Sequence, residues 1–525
     1  MKKIISLVFM FISCIGIYAQ QIMDATAAYK KANDLLERLT IEEKALMVRG
    51  YNKFFIKGFE EKGILPIYLS DATQGVNIRN NLPDPNVVKQ LERSTAFPSP
   101  ILLASTFSPD LSYQYAKAIG EECRAGGIEV LLGPGLNIYR QSQCARNFEY
   151  FGEDPYLVSQ MVSQYVTGLQ STGTAACLKH FYGNNTEFYR KRSNSIISER
   201  AMNEIYLPGF KAGIDAGAMS VMTSYNQIDG EWAGQSSYVI KNILREKLGF
   251  KWLVMSDWNS VWNLEKVIKS GQNLEMPGSY NFGESVLGLY HQKKITEKDL
   301  DDMVRPILAT CIAMGFYDRS KYDLSLLDKY QEHEKIARQV AEEGIVLLKN
   351  RDNILPLDPT KNRKILLTGK FIYEIPRGYG AAEVIGYNNV SLIEALQRAF
   401  GRTVYYIEKP TVADIKEADI VLLSMGTRDK EAIERPFALP KEDESLMRYV
   451  TKNNPNTIAI LNTGSAIDMS AWNDRLAGLI YGFVLTLLTL CFCRETSVSL
   501  VVPRGLRRLA CYLSYDLVPS AGSGR

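Results

Sequence analysis

From about residue 25 to 320 the chain alternates short apolar runs with helical stretches, and this alternation constrains the fold more than any other feature. The apolar runs are Ile67-Tyr68-Leu69, Ile101-Leu102-Leu103, Val130-Leu131-Leu132, Ala175-Ala176-Cys177-Leu178, Ser220-Val221-Met222 and Leu253-Val254-Met255. Each is too short for a helix and is apolar on both faces, as a strand buried between helices must be. Helical spacing fills the gaps, around Tyr113 to Cys123, Leu157 to Leu169 and Ser198 to Ala216. A strand, a helix and a strand in repeated order predict a parallel sheet. So long a repeat fits a (β/α)8 TIM-type barrel better than an open sheet.

A chain of 525 residues is too long for one core. The alternation breaks near Phe316 to Lys329, rich in Asp, Tyr and Ser. A helix is expected from about His333 to Glu343, then a second α/β unit. Its strand candidates are Ile345–Leu348, Ile365–Leu367, Ile420–Leu423 and Thr457–Leu461. The expected division is a barrel over 25–320, a linker and connecting helix over 321–344, and an incomplete α/β sandwich over 345–483. Gly378-Tyr379-Gly380 lacks the third glycine and the tight strand-turn-helix spacing of a dinucleotide site.

The formal net charge is +3, and no basic block interleaved with aromatics occurs, so a nucleic-acid partner has no support. The histidines His180, His291 and His333 lie far apart, and Cys123, Cys144, Cys177 and Cys311 have no paired spacing. No metal pattern results, and buried free thiols are expected. Lys2 and Lys3 precede an apolar run from Ile4 to Ile17, and Ala19 offers a cleavage site. Residues 1–19 therefore read as a signal peptide and imply a periplasmic or secreted protein. Phe11-Ile12-Ser13-Cys14 resembles a lipoprotein box that would anchor the chain through Cys14. From about Val484 the chain loses Lys and Asn, keeps only Arg as a cation and gathers Cys491, Cys493 and Cys511. Residues 484–525 are expected to be an aberrant, out-of-frame or badly joined tail. Uncharged residues 476–493 would pass a scan for a membrane span.

Polar groups cluster where the runs end. Ser256-Asp257-Trp258 follows Leu253–Met255, Ser70-Asp71 follows Ile67–Leu69, and Lys179-His180 follows Ala175–Leu178. Thr223-Ser224-Tyr225-Asn226 follows Ser220–Met222, and the Gly133–Arg140 loop with Arg146 and Glu149 follows Val130–Leu132. A lone Ser-Asp-Trp would as readily cap a helix. Five strand ends converging in this way are the mark of a barrel's active-site face. A carboxylate at Asp257 beside the apolar face of Trp258 suggests sugar chemistry.

These residues resemble glycoside hydrolase family 3 of the β-glucosidase type, over about residue 25 to Phe483. The resemblance rests on GPGLNIYRQSQCARNFEYFGEDPYL (133–157), CLKHF (177–181), VMTSYNQIDG (221–230), GFKWLVMSDW (249–258) and EEGIVLLKN (342–350). It implies that Asp257 is the nucleophile. It implies that Asp71, Arg146, Lys179 and His180 grip the terminal sugar and that Tyr225 contacts the nucleophile. The family's acid/base Glu, in a pattern like E-G-x-D-R…L-P, falls on Glu431. Here Ala432 replaces the glycine and Glu434 the aspartate, so Glu434 competes for the role.

The resemblance implies an exo-acting retaining β-glucosidase that needs no cofactor and acts on β-linked oligosaccharides or glucosides. Its two carboxyl groups should lie roughly 5–5.5 Å apart. No obligatory membrane partner is implied, and the oligomeric state is open. The rivals are a β-xylosidase, an inactive truncated carbohydrate-binding remnant and a protein tethered through 476–493. An N-acetylglucosaminidase would need a second His where Lys179-His180-Phe181-Tyr182-Gly183-Asn184-Asn185 has none.

Overall fold

The structure is a computed structural model that describes residues 22–71, 73–78, 91–278 and 282–483. The expected signal peptide and the expected aberrant tail lie outside the described residues. Strands Ile67–Ser70, Val130–Leu131, Ala175–Phe181, Ser220–Thr223 and Leu253–Met255 pair in that order, all parallel. Every residue in them is buried, which explains their largely apolar runs.

The sheet curls until it meets itself. Met255 bridges to Leu274 and Glu275 to Arg49, both in parallel sense. Gly50–Tyr51 and Phe55–Ile56 then carry the ring back to Ile67–Ser70. The barrel expectation therefore holds, with one irregularity. Phe55–Ile56 runs antiparallel to both neighbours, because a hairpin rather than a crossover helix joins it to Gly50–Tyr51. Asn52 and Lys53 take φ of 47° and 71°, which lets the chain reverse in so few residues.

One expected strand is wrong. Ile101-Leu102-Leu103 lies in a helix, Pro100–Ser105, with the proline at its start. The helix is buried from Pro100 through Ala104, so no polar stripe betrays its period. The other helices fall where the spacing places them. Pro109–Ala125 is capped by Ser108 and Pro155–Gln170 by Asp154, each with proline at its first turn. The two pack so closely that a side chain at Gly168 would strike the Tyr113 backbone.

Helix Tyr330–Gly344 leads from the barrel into the second sheet. Gly344 sits hard against Leu102. His333 lies buried between Glu121, at 3.0 Å, and Glu122, at 2.9 Å. The second sheet has six strands, ordered Val346–Asn350, Gly478–Tyr481, Thr457–Asn462, Ile420–Gly426, Ile365–Gly369 and Val404–Tyr406. All pairings are parallel except the first. Val404–Tyr406 and Gly478–Tyr481 are additions to the strands expected. Gly478–Tyr481 lies inside the segment 476–493 that mimicked a membrane span, and there it is a buried strand. Among the described residues no helix is long and apolar enough to cross a membrane. Cys123, Cys144, Cys177 and Cys311 are buried and free.

Candidate active site

The polar ends of the barrel strands meet at one mouth. Asp257 leaves Leu253–Met255 with its backbone held from two sides. Its carbonyl accepts from the Ser256 hydroxyl at 2.8 Å and from the Ser260 hydroxyl at 2.9 Å. The Trp258 N–H donates to Oδ1 at 2.7 Å. Oδ2 is buried and has no hydrogen-bond partner. An unpartnered carboxylate oxygen is costly in a low-dielectric site, and such groups mark functional sites. Burial pushes this carboxyl up to about 6, with Glu431 adding and Arg146 and Arg190 opposing.

Arg146 and His180 lie beside it. Nε of Arg146 pairs with Glu149, and Nη2 donates to His180 Nε2 at 3.1 Å. His180 Nδ1 donates to Asn137 Oδ1 at 2.9 Å. Burial, reinforced by Arg146 and Lys179, holds the ring well below the usual histidine range. It is therefore neutral, with Nε2 as an acceptor. The 3.6 Å approach of Nε2 to Asp257 Oδ2 is a contact and not an ion pair. Lys179 reaches Asp71 Oδ1 at 3.8 Å and Glu149 Oε2 at 4.0 Å. Arg146 Nη1 and Glu149 Oε2 are buried without hydrogen-bond partners. Asp71, Arg146, Glu149, Lys179, His180 and Asp257 thus form one buried polar set, suited to holding several hydroxyl groups.

Tyr225 is buried, and burial with the Asp257 charge raises its phenol well above the usual range. Trp258 is half-buried, its ring 5.1 Å from that of Phe54.

The second domain supplies Glu431. Its loop is tied to the barrel at several points. Ala432 N–H donates to buried Glu187 at 2.7 Å, and Arg435 N–H donates to the Gln143 carbonyl at 3.0 Å. Glu434 accepts from the Thr186 hydroxyl and from Phe188 N–H. Glu434, the competitor, is thereby engaged with the barrel loop. Glu431 Oε2 accepts from Ala381 N–H at 3.0 Å, and Oε1 lies 2.8 Å from Arg190 and 3.9 Å from Arg146. Gly378 and Gly380 find their purpose here. A side chain on the first would strike Phe148, and one on the second would strike Glu431. Ala432 sits at φ 66°, where the resemblance expects glycine.

Burial works to raise Glu431, but Arg146, Arg190 and Ala381 N–H outweigh it and hold the carboxyl at about 2. All eight side chains singled out from the sequence lie in or beside this mouth. Three were missed as site residues: Glu149, Glu187 and Arg190. Glu149 stood inside a quoted motif. Glu187 and Arg190 lie in a polar loop after Ala175–Phe181, and only the fold shows that Arg190 meets Glu431 and Glu187 meets the Ala432 N–H.

Comparison with known proteins gives a consistent picture. Residues 86–308 match the glycosyl hydrolase family 3 N terminal domain, and residues 345–486 match the glycosyl hydrolase family 3 C-terminal domain. The chain is 31% identical over 474 residues to thermostable beta-glucosidase B of Acetivibrio thermocellus, covering 86% of this chain and 62% of that protein. It is 33% identical over 481 residues to an exo-alpha-(1->6)-L-arabinopyranosidase of Bifidobacterium breve, covering 85% and 62%. The chain thus spans less than two thirds of the length of either relative. The solved structure of beta-glucosidase 3B from Thermotoga neapolitana in complex with glycerol superposes with a TM-score of 0.79 at 30% identity, covering 87% of this chain and 72% of that one.

Proposed function

The chain belongs to glycosyl hydrolase family 3, and on that premise we propose that it is an exo-acting retaining glycoside hydrolase releasing terminal β-D-glucose from β-glucosides. The observation that carries the proposal is Asp257 Oδ2, a buried and unpartnered carboxylate oxygen facing the same mouth as Glu431. In the first step Asp257 attacks the anomeric carbon and forms a glycosyl ester. The bond to the leaving oxygen breaks, and Glu431 gives that oxygen its proton. In the second step Glu431 takes a proton from water, the water oxygen attacks the anomeric carbon, and Asp257 leaves as carboxylate. Asp71, Arg146, Lys179 and His180 hold the sugar, and Tyr225 and Trp258 line its reacting side. No step calls for a cofactor.

One solved relative supports a glucoside substrate, since beta-glucosidase 3B of Thermotoga neapolitana has also been solved in complex with glucose. A β-xylosidase is the second reading, favoured by the arabinopyranosidase relative, because arabinopyranose and xylose both lack the hydroxymethyl group of glucose. A panel of 4-nitrophenyl β-glucoside, β-xyloside and α-L-arabinopyranoside separates the two. The fluorinated inactivator 2,4-dinitrophenyl 2-deoxy-2-fluoro-β-glucoside tests the covalent step. Peptide mapping should find the sugar on Asp257. A label elsewhere overturns the nucleophile assignment, and no turnover of any glycoside leaves a carbohydrate-binding remnant. Export is part of the same reading. The mature protein should begin at Gln20, and an intact residue 1 in the isolated protein would refute it.

A further inference from the structure

Arg190 occupies a position that the double displacement does not use. Its Nη1 lies 2.7 Å from Glu187 Oε2, its Nη2 lies 2.8 Å from Glu431 Oε1, and its guanidinium lies 4.0 Å from the centre of the Tyr225 ring. The groups around Glu431 come from both domains. Arg146, Arg190, Lys191, Tyr225 and Asp257 belong to the barrel, while Ala381 N–H comes from the neighbouring loop of the second domain. Arg190 is the one cation among these within 3 Å of the carboxylate.

We propose that Arg190 is a positioning residue that latches Glu431, docking the carboxylate in the unliganded site and parting from it when substrate enters. This rests on the reading of Glu431 as acid/base. A general acid must hold a proton and present it to the leaving oxygen. A carboxylate clasped by a guanidinium does neither. Burial pushes the Asp257 carboxyl up while Arg146 and Arg190 hold Glu431 down, so as these groups stand the proton favours the wrong partner.

A swing of Arg190 away from Glu431 removes the cation nearest that carboxylate and favours a proton on it, with Arg146 still opposing. Glu187 and the Tyr225 face hold the guanidinium independently of Glu431. Glu187 also holds Ala432 N–H, which keeps the acid/base loop in place as the latch opens.

The test compares pH profiles with methyl β-glucoside, whose poor leaving group makes bond cleavage limit both parameters. The profile of kcat/KM reports the free enzyme, and that of kcat reports the complex. In the wild type the high-pH limb of kcat should lie at least about one pH unit above that of kcat/KM. Coincident limbs overturn the latch. In Arg190→Gln the kcat/KM limb should rise to meet the kcat limb, and Arg190→Lys should restore part of the gap. A folded Arg190→Gln with the wild-type gap overturns the role of Arg190. If Arg190→Gln does not fold, Arg190→Lys decides, because a gap as wide as the wild type's refutes the two-carboxylate clasp. Azide rescue of Glu431→Ala is run alongside. Without rescue the acid/base reading itself has failed, whereas rescue with coincident wild-type limbs removes the latch alone.

Discussion

Replacing His333 by Gln should flatten the pH dependence of stability between about pH 6.5 and 9. His333 joins the connecting helix to the barrel through Glu121 and Glu122. Burial works to lower the imidazolium, but its two carboxylate hydrogen bonds outweigh burial and raise it from 6.5 to about 9. The folded protein therefore keeps a proton that the unfolded chain loses. Stabilisation from this proton is complete below about pH 6.5 and disappears as pH rises through about 9.

The slope is roughly 1 kcal/mol per pH unit, and the whole effect about 3 kcal/mol. Glu121 is lowered by the same contact, so the pair is counted once. Glu121 also holds Lys329 at 2.8 Å, which the substitution leaves in place. Urea unfolding at pH 6.5, 8 and 9.5 measures the slope in wild type and His333→Gln. The variant should be the less stable at pH 6.5 and nearly equal at pH 9.5. Parallel slopes for the two proteins would refute the clamp and the raised imidazolium with it.

Three further outcomes follow from the site. Asp257→Ala should fold normally and retain less than about a hundredth of wild-type turnover, because covalent catalysis is worth several kcal/mol; greater residual activity would exclude it as nucleophile. Glu431→Ala should slow alkyl glucosides far more than activated aryl glucosides and respond to azide. Glu434→Ala should do neither, since its carboxylate is bound to Thr186 and Phe188; the opposite result would exchange the two glutamates. Ala432→Gly should stabilise the second domain by about 1 kcal/mol by relieving the left-handed backbone, as read by thermal melting; a lower melting temperature would mean that Ala432 is not strained.

The sequence alone determined the elements whose cause is local. Buried parallel strands must be apolar on both faces, and helices must cap, start and bury at their own period, so most of both were legible. The residues at the strand ends were legible too, because a barrel gathers all such ends at one face. Ile101–Leu103 was misread because a short helix buried on every side loses the periodicity that identifies it. The antiparallel Phe55–Ile56 strand escaped notice because it belongs to a short hairpin, outside the alternation of strands and helices that identifies the others.

Tertiary structure decided what depends on distant pieces meeting. Only the fold closes the ring through Met255–Leu274 and Arg49–Glu275. Only the fold puts Glu431 within reach of Arg146 and Arg190, and engages Glu434 with Thr186 and Phe188. Gly378 and Gly380 look like a failed phosphate loop in sequence. In the structure they are the clearance that lets Phe148 and Glu431 approach. Residue type states what chemistry a side chain can do. Its charge state depends on burial and neighbours, and those come from segments the sequence keeps far apart. Asp257, pushed up, and Glu431, held down, are two carboxyls that this environment sets in opposite directions.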